Sequence, residues 1–130
     1  MYSILGWLNV LIIGALVAPY ILKILNKNFI KSKSNKIKNT IKLLRRFHKP
    51  LGISLAVIAL IHGYLALGSL RIHTGSILYV LIIITAVLGG SFYKLKKRIL
   101  LTWHKRFVLI SLLFLLIHLF YPNAIYYLLN

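Results

Sequence analysis

Histidine is the residue type left to do chemistry in this 130-residue chain, which has five of them and neither Asp, Glu nor Cys. Four fall into two pairs, His48 with His62 and His104 with His118, and both separations are fourteen residues. Fourteen residues is just under four helical turns, so the members of a pair face the same way about 21 Å apart along the axis. Neutral imidazole is a ligand for transition metals and for haem iron. The missing carboxylates exclude paired-acid hydrolysis, magnesium sites of the Walker type, Ser-His-Asp triads and carboxylate proton relays. The missing thiols exclude disulfides, thiol chemistry, iron–sulfur clusters and c-type haem attachment.

The elements that must position these histidines are membrane helices. Hydrophobic residues make up 60% of the chain, and they come in runs long enough to cross a bilayer, roughly 20 residues each. The expected architecture is an all-α membrane protein, a single four-transmembrane-helix bundle over 1–130. Its helices are expected near 2–22, 51–70, 76–93 and 99–121, with basic loops over 23–49 and 94–106. Pro19 predicts a kink late in the first helix. That helix has no basic leader, and its one small-residue cut point, Ala18, precedes Pro19, so it is expected to remain in the mature chain.

Charge predicts direction. Ten Lys or Arg lie in 23–49 and six in 94–106, against Arg71 alone in the short loop after the second helix and none at the two ends. This asymmetry predicts both basic segments in the cytoplasm and both termini outside a cell membrane. The formal charge of +17 also suits attraction to anionic lipid headgroups or to an acidic electron-donor protein or flavin phosphate. Nucleic acid is not expected, because the bases flank membrane spans and no reading element accompanies them. Ile37, Ile41 and Leu44 recur at helical spacing, which predicts an amphipathic lead-in on the inner surface before the second helix. Tyr121, Tyr126 and Tyr127 read as an interfacial aromatic belt.

With this topology the second and fourth helices run parallel, so His48 shares a depth with His104 and His62 shares one with His118. Two facing imidazoles at each of two levels suit two bis-histidine b-type haems between helices two and four. Zinc or copper fits less well, since no Cys or carboxylate completes a shell. The plain alternative is that the imidazoles hydrogen-bond between helices. Gly52, Ala56, Ala59, Gly63 and Ala66 project within about 80° of the His48 direction. They would admit a flat macrocycle or serve ordinary helix packing. Ser111 lies midway between His104 and His118. A faint repeat at an offset of 56 aligns Phe47-His48-Lys49 with Trp103-His104-Lys105 and Leu60-Ile61-His62 with Leu116-Ile117-His118. Two helical hairpins, each with its ligand helix second, would produce it.

The run His48-Lys49-Pro50-Leu51-Gly52, His62, Trp103-His104 and His118 resembles the ferric reductase-like transmembrane domain family. That family includes ferric reductases, NADPH oxidases and the membrane subunits of methionine sulfoxide reductase systems. The resemblance covers roughly residues 44–121. It implies two haems held between two helices and electron transfer from a cytoplasmic donor to an acceptor at the outer face. Larger members have about six helices, and some carry a flavin and nicotinamide domain; this chain has four spans and no dinucleotide fingerprint. The donor is therefore expected to be a separate flavoprotein, reduced flavin or a quinol.

On this reading His48 and His104 hold the inner haem iron and His62 and His118 the outer one. Arg45, Arg46, Lys49, Lys105 and Arg106 are candidates for pairing with haem propionates, and Arg71 and His73 for attracting a ferric chelate outside. Ferric-chelate reduction is the leading expectation. The alternatives are superoxide or dioxygen chemistry with quinone as the other partner, and haem sequestration without turnover. Four helices cover two porphyrins thinly, which a homodimer would remedy.

Overall fold

The structure, a computed structural model, describes residues 1–31, 33–68 and 72–129, with Tyr126 and Leu129 described by their backbone alone. Its elements are α1 (Tyr2–Leu25), a wider π-type turn (Asn26–Ile30), α2 (Asn35–Leu67), α3 (Thr74–Leu95), α4 (Arg98–Phe120) and a short α5 (Ala124–Leu129). Among the described residues there is no strand. Four helical stretches, Tyr2–Ile30, Asn35–Leu67, Thr74–Leu95 and Arg98–Phe120, are long and apolar enough to cross a membrane. In hydrocarbon every backbone N–H and C=O must be satisfied within the chain, which selects helices for such apolar runs. The side chains agree. Ile53, Leu109 and Phe120 are 69%, 66% and 73% exposed, and the buried apolar residues are Ile12, Leu55, Leu78 and Ile82. A surface this apolar is at home against lipid and would aggregate in water. The chain is a multi-pass membrane protein.

Helix bounds follow the expectations closely for α3 and α4 and depart from them earlier in the chain. α1 continues through Pro19 to Leu25. Within the basic segment 23–49 the chain is helical from Asn35 onward, as the spacing of Ile37, Ile41 and Leu44 predicts. Instead of a separate lead-in, this stretch forms one helix with the second span, and α2 runs unbroken through Pro50 to Leu67. Lys, Arg, Leu and Ile between 36 and 46 are good or fair helix formers. Pro50 removes one N–H bond, a loss a helix with bonds on both sides can absorb. At 33 residues α2 is about 50 Å long, more than the roughly 30 Å of hydrocarbon. The apolar part, residues 51–67, spans about 25 Å, at the short end of membrane-spanning lengths, and the basic part continues the helix beyond it.

The chain divides into two compact units, Met1–Ala59 and Leu60–Asn130, with the boundary inside α2. The first holds α1, the π-type turn and the start of α2. The second holds the end of α2 and an antiparallel hairpin of α3 on α4. Lys96 and Lys97 make the hairpin turn. Lys96 adopts the left-handed conformation (φ 56°) and closes α3 by donating its N–H to Phe92 O at 2.8 Å. Its ammonium lies 4.3 Å from the centre of the Tyr93 ring. A two-residue turn here sets the register, so that Gly89 opposes His104 and Gly75 opposes His118.

Candidate functional site

α4 carries His104 and His118 on the face it turns toward α3, and each imidazole meets a glycine there. A Cβ built on Gly89 would stand 3.0 Å from both Cε1 and Nδ1 of His104, and one built on Gly75 would stand 3.0 Å from Cε1 of His118. The rings occupy the volume that side chains on α3 would have filled.

Each ring is also held through the same nitrogen. His104 Nδ1–H donates to the main-chain oxygen of Thr85 at 2.8 Å. His118 Nδ1 lies 3.0 Å from Thr74 Oγ1, and Thr74 Oγ1 donates its own proton to Pro122 O at 2.6 Å. With that proton committed, the hydroxyl accepts from His118 Nδ1–H. A neutral imidazole with its proton on Nδ1 has its lone pair on Nε2, the usual arrangement of a histidine that binds a metal through Nε2 and anchors itself through Nδ1. Between the two levels, Thr85 Oγ1 donates to Leu81 O at 2.7 Å and lies 3.5 Å from Ser111 Oγ.

His118 is the middle one of three imidazoles. The His62 ring stands 6.5 Å away at 82° and the His73 ring 6.3 Å away at 86°. Two imidazoles that hold one metal ion from opposite sides through bonds of about 2.0 Å have ring centres roughly 6.3 Å apart. His62 and His118 fit that spacing. His73 matches the distance but is engaged elsewhere: its Nε2–H donates to Asn123 Oδ1 at 3.1 Å, and its Nδ1 lies 3.4 Å from Thr74 Oγ1. Among the described residues no three His, Cys, Asp or Glu side chains converge as a self-sufficient metal site requires. A pair of imidazoles would suit instead a metal whose remaining ligands came from a macrocycle, such as haem iron. A Cβ on Gly63, one residue beyond His62, would meet no described atom within 4 Å, so this side of α2 offers open space.

His48 belongs to the first unit and His104 to the second; both are half-buried. Gly52, near His48, is likewise open to an added Cβ. Arg45, Arg46, Lys49, Lys105 and Arg106 are all exposed, and the Arg106 guanidinium rests 5.0 Å from the centre of the Trp103 ring. Tyr121 and Tyr127 are exposed. Arg71 and the Tyr126 side chain lie outside the described residues.

Thr74, Gly75, Thr85 and Gly89 were not singled out from the sequence. Gly75 and Gly89 had a signal: they are fourteen residues apart, as His104 and His118 are, and the two pairs mirror each other about Lys96-Lys97. Comparison with family models, with curated proteins and with solved structures returns no match for this chain.

Proposed function

We propose that this chain is a transmembrane electron carrier that holds two b-type haems and reduces a ferric chelate at the outer membrane face. The observation that carries this reading is the repeated anchoring on α4. Two histidines fourteen residues apart are each seated against an α3 glycine and held through Nδ1, and one of them faces His62 at 6.5 Å. Hydrogen bonding between helices alone would need neither the glycines nor a second imidazole opposite.

In this reading His62 and His118 hold one haem iron and His48 and His104 the other. Bound haem supplies a one-electron couple at each level. The chain's own contribution is ligation, the fixed tautomer, and exclusion of water by apolar helices. Arg45, Arg46, Lys49, Lys105 and Arg106 stand near the His48 and His104 positions in sequence and would neutralise propionates or receive an anionic donor. The sixteen basic residues of the two basic segments, against Arg71 alone in the loop after the second helix, support an orientation with the basic segments in the cytoplasm and both termini outside the cell membrane. The donor is a flavoprotein, reduced flavin or quinol. Each electron it releases at the basic end reduces one ferric ion at the other, beside Arg71 and His73.

A pyridine haemochrome assay on detergent-purified protein tests the reading. The expected result is two haems b per chain, reoxidised after dithionite reduction faster by ferric chelate than by quinone or superoxide. No haem after expression with ample haem would overturn it. Faster reoxidation by superoxide or quinone would replace the acceptor, and failure of every physiological donor would leave haem storage.

A further inference from the structure

Thr74 is 1% exposed, against 5–8% for the buried Asn9, Ile12, Leu55, Leu78 and Ile82, and it carries a hydroxyl rather than a hydrocarbon alone. It opens α3 directly after the N-cap His73. A threonine oxygen has one proton to give and two lone pairs to offer. The carbonyl of Pro122 can only accept, and at 2.6 Å it takes the proton. What remains toward His118 is acceptor capacity, 3.0 Å from Nδ1. The bond to a carbonyl also polarises the hydroxyl and makes its oxygen a better acceptor. The opposite tautomer, with its proton on Nε2, would press an imidazole lone pair to 3.0 Å from an oxygen whose proton Pro122 already takes. The Nδ1 lone pair of His73 meets that oxygen only at 3.4 Å, a distance at which no strong bond is made.

We propose that Thr74 is the positioning residue of His118: its hydroxyl, oriented by the Pro122 carbonyl, fixes the ring rotation and leaves Nε2 as the binding nitrogen. His104 needs no such residue, since a main-chain oxygen does the work there. The His118 level therefore depends on one side chain and on the Tyr121–Asn123 turn that returns the carbonyl. The proposal rests on His118 being a haem ligand for its consequence, and on the hydrogen bonds alone for its mechanism.

Two measurements separate these. The first is 15N NMR of histidine-labelled, haem-free full chain in detergent, with His118→Gln used to assign the His118 signals. His118 should be protonated at Nδ1 in the native chain and in Thr74→Ser, and should lose that preference in Thr74→Val. A native His118 protonated at Nε2 overturns the proposal with no variant needed and whatever the chain binds. The second is redox titration of the haem-loaded chain. Thr74→Val should shift one of the two midpoint potentials upward or lose one haem, because an imidazole without an Nδ1 acceptor is a weaker donor. The other potential should stay put, and Thr74→Ser should restore both. Two haems with both potentials unmoved in Thr74→Val, or loss of both haems together, would overturn it. A native chain that binds no haem would defeat the functional reading while leaving the NMR result to stand.

Discussion

The two ends of one hairpin hold the same residue by different means. At the end near the turn, His104 is bonded to the main chain of Thr85 at 2.8 Å. At the far end, His118 is bonded to the Thr74 side chain at 3.0 Å, and that side chain in turn to the Pro122 carbonyl, while His73 and Asn123 complete the cluster. The first anchor is part of a helix and survives any substitution that preserves the helix. The second is assembled from a helix start and a loop and can be edited residue by residue. An amide oxygen is also a stronger acceptor than a hydroxyl, so under the proposed function His104 would be the stronger electron donor to a bound iron and that iron the harder to reduce. Under the proposed orientation, with the basic end inside, that ordering would run downhill from cytoplasm to exterior.

The largest expected effects come from removing the proposed haem ligands. His118→Ala should drop haem content from two per chain to one and delete the higher of the two midpoint potentials, and His104→Ala should delete the lower. Potentiometry of the two single-haem proteins checks both. If the surviving potential is the higher one in His118→Ala, the difference between the anchors does not govern the couple. If either change removes both haems at equal expression, the levels are not independent.

The glycines come next. Gly89→Ala places a methyl 3.0 Å from two atoms of His104, including the bonded Nδ1, whereas Gly75→Ala comes that close to one atom of His118, with Nδ1 at 3.5 Å. Overpacking costs about 1–3 kcal/mol, and Ala in place of Gly within a helix returns about 1 kcal/mol. The balance is therefore unfavourable at Gly89 and close to neutral at Gly75. The rate at which haem passes to an excess of apo-globin should rise several-fold for Gly89→Ala at one level only, and change little for Gly75→Ala. Equal rates would mean that the rings have more room than these distances allow.

These positions also mark how far the sequence could be read. The histidine spacing and the α3 and α4 bounds were legible because helical period and apolar run length act locally. Gly75 and Gly89 were legible in principle, but finding them needs the hairpin register counted from Lys96-Lys97. The small-residue rhythm of the second helix points instead to Gly52 and Gly63, whose added Cβ would meet nothing within 4 Å. Thr74 was not legible at all, because its role depends on a loop carbonyl 48 residues later. The helical spacing of Ile37, Ile41 and Leu44 did show in the sequence; what did not is that this lead-in joins the second span as one helix through Pro50. The 56-residue repeat does not extend to these glycines: the same offset carries Gly75 to Pro19 and Gly89 to Lys33.

Thr85→Val sharpens the difference between the two anchors with a smaller effect. It removes the hydroxyl bond to Leu81 O and the contact with Ser111 Oγ but keeps the carbonyl that holds His104. Interhelical side-chain hydrogen bonds in membranes average about 0.6 kcal/mol, so stability should fall by less than about 1 kcal/mol, with both haems and both potentials retained. Thr74→Val, the same chemical change at the other end, should not be silent.

The smallest effect is expected at the turn from which both levels are counted. Lys96 sits in a left-handed conformation (φ 56°) that costs a non-glycine residue about 1–2 kcal/mol, in the position where helices favour Gly. Lys96→Gly relieves that strain but gives up the ammonium over Tyr93, worth about 0.5–1 kcal/mol at an exposed site. A net gain of up to about 1 kcal/mol should follow, read as a modest rise in Tm in detergent. Since the register of Gly89 with His104 and of Gly75 with His118 both start at this turn, tightening it should slow haem loss at the two levels in the same direction. If only the His104 level responds, Thr74 and the Pro122 carbonyl hold His118 without help from the hairpin register, and the far end is an independent clamp.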